Sequence, residues 1–309
     1  MTTHRVEEDE VALAVTATEQ DVIAKVQPPP RAERPARDVP VVMVAPGRRS
    51  GLDLGELWAY RELLYFLTWR DVKVRYKQTV IGAAWAVIQP LVTMLIFTGI
   101  FSRFARVPSE GVPYPVFAYA GLLPWQLFAG ALQRSIQSVV SSAALVTKVY
   151  FPRLIVPVAA TLSATVDFAV AFSVLVAMAV GYGIVPTWRI LTLPGFVGLA
   201  LLAALAVGLW LSALNVRYRD VGHAVPFLIQ VWMLASPVAY PASLVPERWQ
   251  LLYGLNPMVV AIEGFRWALL DKPAPDILPM VASTAVTFLL LIFGLNYFRR
   301  TERTFADVI

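Results

Sequence analysis

Hydrophobic residues along this chain come in long blocks rather than in the short alternations of a soluble fold. Six blocks stand out, at about residues 80–100, 116–140, 155–180, 190–214, 224–240 and 277–297. Each approaches the roughly 20 residues that carry a helix through about 30 Å of hydrocarbon. The pattern therefore predicts an all-α integral membrane protein with six transmembrane helices. The fifth block is short, with Pro226 and Pro237 near its ends, while Gln89-Pro90 interrupts the first and Pro124 the second. Such breaks are tolerated where neighbouring helices or water take up the freed backbone groups, so the spans are expected to pack as a bundle.

The polar remainder divides the rest of the chain. Residues 1–52 are expected to form a disordered cytoplasmic tail rich in proline and charge, because six prolines fall within 28–46 and 15 of the 47 charged residues within 1–50. A short helix over 11–26 fits the pattern, whereas the start MTTHRVEEDE lacks the basic-then-apolar order of a secretory signal. Asp53 with Glu56 three positions on has the spacing of a capping box. Leu57, Trp58, Tyr60, Leu63, Leu64, Phe66 and Leu67 then mix with a series of cations up to Lys77. Residues 53–79 are accordingly predicted to be an amphipathic helix lying in the membrane interface, with a plain juxtamembrane anchor as the alternative. The segment 241–276 is too apolar for a free loop, and Asn256-Pro257 divides it. It predicts a pair of short interfacial or re-entrant helices before the last span.

Composition supports the membrane reading: 58% of residues are hydrophobic and 15% charged, against about 25% charged in ordinary soluble domains. The flanks at 56–79, 143–156, 215–223 and 299–309 carry twelve Lys and Arg, and those at 102–115, 183–190 and 241–276 carry six over the same total length. The richer side is expected to be cytoplasmic, with both termini inside. These cations sit beside apolar spans, so membrane lipids rather than nucleic acid are their expected partners. Cysteine is absent and there are two histidines, which removes thiolate and histidine-built sites. Neither G-x-x-x-x-G-K-[ST] nor H-E-x-x-H occurs, so no cofactor or metal is expected in this chain and it is not expected to be an enzyme by itself.

Two ionisable residues fall inside predicted spans. Arg134 lies six residues from one end of its block and Asp167 twelve from the corresponding end of the next, about 9 and 18 Å deep at about 1.5 Å per residue. A direct ion pair thus requires offset helix ends. Their two readings are a polar gate and an inter-helix tie. In the first span Trp85, Gln89, Thr93 and Phe97 recur every four residues and share one face, with Gln230 of the fifth span a candidate to face them. Rings and amides suit a channel for a sugar chain, although spacing alone does not separate that role from helix packing.

The stretch LWAYRELLYFLTWRDVKVRYKQTVIGAAWAVIQP, together with KVYFPRLIVP, NVRYRDVGH and LNPM, resembles type-2 ABC exporter permeases. The subgroup it resembles exports lipid-linked polysaccharides: O-antigen, capsule, teichoic acid and galactan. The resemblance covers about residues 54–309 and implies six spans over 80–309, a homodimer, an inner-membrane location in a bacterium, and a separate nucleotide-binding subunit that holds ATP and Mg. It implies that Lys148, Tyr150, Phe151, Pro152 and Arg153 form the segment coupled to that ATPase, with Phe151 as an exposed apolar knob. Arg70 and Asp71, and Arg219 and Asp220 beside Arg217, are further candidates for that contact. Arg61, Arg70, Lys73, Arg75 and Lys77 are candidates to receive the substrate headgroup. A drug or small-lipid exporter, a membrane-embedded transferase and a proton-coupled carrier using Asp167 are the competing readings.

Overall fold

The computed structural model describes residues 54–77, 82–184 and 187–305. The expected tail, its helix over 11–26 and the Asp53 cap lie outside the described residues. Within them every regular element is helical. The interface segment forms α1 (Leu54–Ala59) and α2 (Arg61–Lys77), interrupted at Tyr60. Leu67 and Val72 are buried on α2, which packs against α6 (Ile155–Gly181), while Tyr65, Phe66 and Trp69 stay exposed.

Among the described residues, five helical stretches are long and apolar enough to cross a membrane: Trp85–Phe104, Tyr114–Ser141, Ile155–Gly181, Trp188–Arg217 and Ile277–Thr304. The first comprises α3 (Trp85–Phe97) and a wider π-helical turn, Thr98–Phe104. The second is α4 (Tyr114–Ser141), followed by short α5 (Ala143–Lys148). A 3-10 turn leads into α7 (Leu193–Arg217), and α11 (Ile277–Thr301) closes the chain. Both α3 and α4 run unbroken through Pro90 and Pro124, so these prolines do not interrupt the spans as expected. Each proline removes only one backbone donor, and in a packed apolar bundle the helix persists around it.

The fifth expected span is the exception. It forms α8 (Asp220–Leu234), 15 residues or about 22 Å, too short by itself for about 30 Å of hydrocarbon. Residues 235–241 leave the helix as a strap held from three sides. Arg266 donates to the carbonyls of Val238 at 2.9 Å and Tyr240 at 3.3 Å. The Tyr114 hydroxyl donates to Ala239 at 2.7 Å, and the Asn256 amide to the Ser236 hydroxyl at 3.0 Å. Arg266 is 1% exposed, ion-paired to Glu263 at 3.0 Å, and lies 3.6 Å over the Phe117 ring. The sequence pattern treats Arg266 as a flank cation, but its charge belongs to the interior. The expected pair of helices appears as α9 (Glu247–Gly254) and α10 (Pro257–Leu270), and the Asn256 side chain caps α10 at the Met258 amide.

α4 is the axis of the bundle. Of its apolar window 78% is buried, against 11% for Trp85–Phe104 and 17% for Ile277–Thr304, and it contacts α3, α6, α7, α8 and α10. The flanking segments sort into two ends. At one, Leu67, Val146, Phe151, Val216, Phe298 and Phe305 share an apolar cluster. At the other, Arg189 pairs with Asp271, and Ser243 and Lys272 both bond Glu110. This is the two-sided division of flanks that the hydrophobic blocks predict.

Close helix approach depends on small residues. On α11 a Cβ added at Gly294 would lie 2.5 Å from the Ala206 carbonyl oxygen, a backbone atom of α7, whereas one at Gly198 would meet nothing within 4 Å. Gly294→Ala is therefore expected to lower the unfolding temperature in detergent, since overpacking costs about 1–3 kcal/mol. Gly198→Ala should leave it unchanged or raised, because alanine favours helix by about 1 kcal/mol over glycine. Equal unfolding temperatures for the two variants would contradict this crossing.

Candidate functional site

The end of α2 meets α3, α4 and α6 around a cavity of about 420 Å³. The wall has three chemistries. Charge comes from Arg75, Arg134 and Asp167; amides come from Gln89, Gln126 and Gln133; rings come from Trp85 and Phe168. Gln126, Gly130 and Gln133 or Arg134 recur at helical spacing on α4, which turns one polar strip of an otherwise apolar helix toward the space.

Asp167 is the centre of the charged wall. One carboxylate oxygen accepts from the Arg75 guanidinium at 2.7 Å and also pairs with Arg134, while the other accepts from the Tyr76 hydroxyl. Arg134 further donates to Ser163 at 3.5 Å. An unpaired charge inside an apolar span costs several kcal/mol, so the partners make this placement tenable. Tyr76 lies near the end of α2, and burial, reinforced by the bond to Asp167, pushes its hydroxyl up to about 12. It therefore stays protonated, and a donor, throughout the physiological range.

The depth mismatch between Arg134 and Asp167 is resolved by side-chain direction. Side chains lean toward the N-terminus of their own helix. α4 and α6 are successive and antiparallel, so Arg134 leans deeper into the bundle and Asp167 leans back toward α2. The guanidinium stem closes the remaining gap.

The site unites residues expected for different roles: Arg75 from the headgroup set, Trp85 and Gln89 from the channel set, and the intramembrane pair. The other members lie elsewhere. Thr93 donates to the Gln89 carbonyl at 2.9 Å, and Phe97 packs edge-on against Phe101. Gln230 is exposed on α8, whose main contacts are with α4 and α7 rather than α3. Arg61 stacks on Trp58 at the start of α2, about 21 Å along the axis from Arg75, so one headgroup cannot engage both. Arg70 bonds Asp71 at 2.8 Å and reaches Ser142 at 3.5 Å, tying α2 to the start of α5. Lys73 and Lys77 are exposed. Sequence reasoning missed Tyr76, Gln126, Gln133 and Phe168. Two glutamines seven apart within an apolar span were the available signal.

At the cation-rich end, the exposed-knob expectation for Phe151 is overturned. Phe151 is 6% exposed and packs within the cluster of Leu67, Val146, Leu154 and Phe298. Its phenyl ring is one member of the apolar cluster at this end of the bundle. Tyr150 beside it is 69% exposed, with Lys148 and Val149 also exposed. Pro152 is half-buried, and Arg153 donates to the Glu302 carbonyl, fastening the last 3-10 turn. Pro157 lies in the first turn of α6, where its missing N–H costs nothing. Arg217, Arg219 and Asp220 are exposed, with Arg217 over the Tyr218 ring. No ion pair joins Arg219 to Asp220 among the described residues.

The chain has relatives in sequence. Residues 62–270 match the family model described as ABC-2 type transporter. The chain is 31% identical over 257 residues to the O-antigen export system permease protein RfbA of Myxococcus xanthus, covering 82% of this chain and 98% of that protein. It is 28% identical over 255 residues to the protein of the same name in Klebsiella pneumoniae, covering 80% and 95%. To the polysialic acid transport protein KpsM of Escherichia coli it is 22% identical over 257 residues, covering 82% and 97%. With five apolar helices of spanning length inside or beside the matched region, and a match over well more than half its residues, the chain belongs to the ABC-2 type transporter family.

Proposed function

We propose that this chain is the permease subunit of an exporter carrying a lipid-linked polysaccharide across the bacterial cytoplasmic membrane, driven by ATP hydrolysis in a separate nucleotide-binding subunit. The observation that carries the reading is near-full-length likeness to permeases named for two different polysaccharides, O-antigen and polysialic acid. The cavity suits that class, because rings stack on sugar CH groups while amides exchange hydrogen bonds with hydroxyls. Disruption of the gene should abolish surface polysaccharide and cause its intracellular accumulation. Normal surface polysaccharide in the disrupted strain would refute the reading.

In this reading the cation-rich end is cytoplasmic. Burial of Arg266 leaves five cations for the opposite flanks, which sharpens the asymmetry. Exposed apolar positions such as Leu95 and Ile96 on α3 and Phe227 and Val231 on α8 supply faces for lipid and for a second copy in a homodimer. The ATPase would dock on Lys148, Val149 and Tyr150, with the 217–220 turn beside them at the same end. Closure of the ATPase dimer would then move the two half-channels as bodies.

Because the chain has no cysteine, single replacements report sidedness without background. In right-side-out vesicles Ser243→Cys should react with a membrane-impermeant maleimide and Thr147→Cys only after permeabilisation. The reverse pattern would invert the proposed orientation.

The docking assignment has its own signature. Tyr150→Asp should leave membrane levels of the protein near normal but abolish export and co-purification of the ATPase, since the loss falls on an exposed contact. Phe151→Asp should instead lower the amount of folded protein, because an unpaired carboxylate enters an apolar cluster at a cost of several kcal/mol. Full export by the Tyr150→Asp variant would move docking away from this segment.

A further inference from the structure

The segment assigned above to ATPase docking is fastened to the far end of the last span. Lys148 ends α5, Ile155 begins α6, and residues 149–154 between them are non-helical. Two kinds of contact hold this link. Phe151 and Leu154 share an apolar cluster with Leu295 and Phe298 of α11 and with Phe305 just beyond it. Phe305 is fully buried, its ring edge-on to Phe298 with centroids 5.3 Å apart. Arg153 donates a charge-assisted bond to the Glu302 carbonyl, in the turn between α11 and Phe305. Lys148, Val149 and Tyr150 stay exposed beside this anchored link.

The main helix contacts of α11 are with α7, α9 and α10, not with α5 or α6. Its approach to α9 is tight, since a Cβ added at Gly254 would lie 2.7 Å from the Pro279 Cβ. With 25 residues, or about 37 Å, α11 reaches from the Phe151 cluster to α9 at the opposite end. Packed helices of this kind carry displacement between distant sites. We propose that Arg153 and Phe305 are positioning residues that hold the docking segment to α11, so that movement imposed by the ATPase reaches α9 along the last span. This deepens, and rests on, the docking and export reading above. The two residues act by different means. Arg153 fixes the direction of the link through a hydrogen bond, and Phe305 fills the cluster that Phe151 enters.

Because the chain has no cysteine, the exposed Gln250 of α9 can carry a single label. In the full complex with its ATPase, reconstituted in nanodiscs, Gln250→Cys bearing an environment-sensitive fluorophore reports ATP-driven change at α9. The response is read per mole of co-purified ATPase. Arg153→Ala and Phe305→Ala should each cut it about fivefold or more, the lower end of ordinary coupling between sites, and export per ATP hydrolysed should fall with it. Arg153→Lys keeps a cationic donor for the carbonyl and Phe305→Leu keeps an apolar filler, so both should recover most of the response. A role in stability alone, or in docking alone, would lower the amount of folded or ATPase-bound protein and leave the response of each bound complex unchanged. An unchanged response in either alanine variant would overturn the proposal, as would a lysine variant no better than the alanine one.

Should Phe305→Ala fail to fold by its unfolding transition, Arg153→Ala decides, because Arg153 lies outside the buried cluster. The labelled chain without further substitution separates this proposal from the reading beneath it. If it binds no ATPase, or binds one and drives no export, the export reading fails and the linkage falls with it. If it exports with no response at Gln250, the linkage alone is overturned and export stands.

Discussion

A charge placed within an apolar bundle must find its partner inside the protein, and in this chain that constraint decides where α2 goes. Asp167 lies well within α6, and the groups that stabilise it come from outside that helix: Arg134 on α4, Arg75 and Tyr76 on α2. Docking of α2 along α6 through Leu67 and Val72 is apolar and nonspecific in register. The ion cluster supplies the register, since Asp167 can meet only the end of α2 that carries Arg75 and Tyr76. A packing choice, an electrostatic choice and the shape of the cavity are therefore one choice.

Around that cluster the bundle is organised by unequal burial. α4 is enclosed almost all round, and it can therefore carry a polar strip on one side without exposing it to lipid. Gln126 and Gln133 face the cavity, and a space lined by protein is the condition under which polar groups are tolerated at membrane depth. The outer helices, with most of their surface unburied, keep Leu, Ile, Val and Phe there. The short α8 obeys the same logic. Once Arg266, Tyr114 and Asn256 satisfy the carbonyls and hydroxyl of residues 235–241, the backbone there need not be helical.

The spans of α4, α6, α7 and α11 were legible because block length and hydropathy are local properties, and their observed ends fall within a few residues of the expected ones. So was the break at Asn256-Pro257, where a capping side chain and a proline sit together. What stayed hidden depends on how neighbours meet. Pro90 and Pro124 look like interruptions in one dimension, but a packed helix runs through each. Phe151 looks like an exposed knob beside charged residues, yet Val216, Phe298 and Phe305 arrive from distant sequence to cover it. Arg134 and Asp167 were individually visible, but their pairing depended on the opposed lean of side chains on antiparallel helices. Arg75 looked like one cation among five on α2, and only the docking register of that helix distinguishes it.

The two arginine clusters differ in how far their surroundings enclose them. Arg266 is enclosed by its own helix, the strap and the Phe117 ring, and at 1% exposure no external anion can approach it. Its partners are the Glu263 carboxylate and the backbone carbonyls of Val238 and Tyr240. Arg134 has a carboxylate as its main partner and a cavity beside it. The same residue type thus sits sealed by its surroundings in one cluster and at a cavity wall in the other, with the difference set by burial.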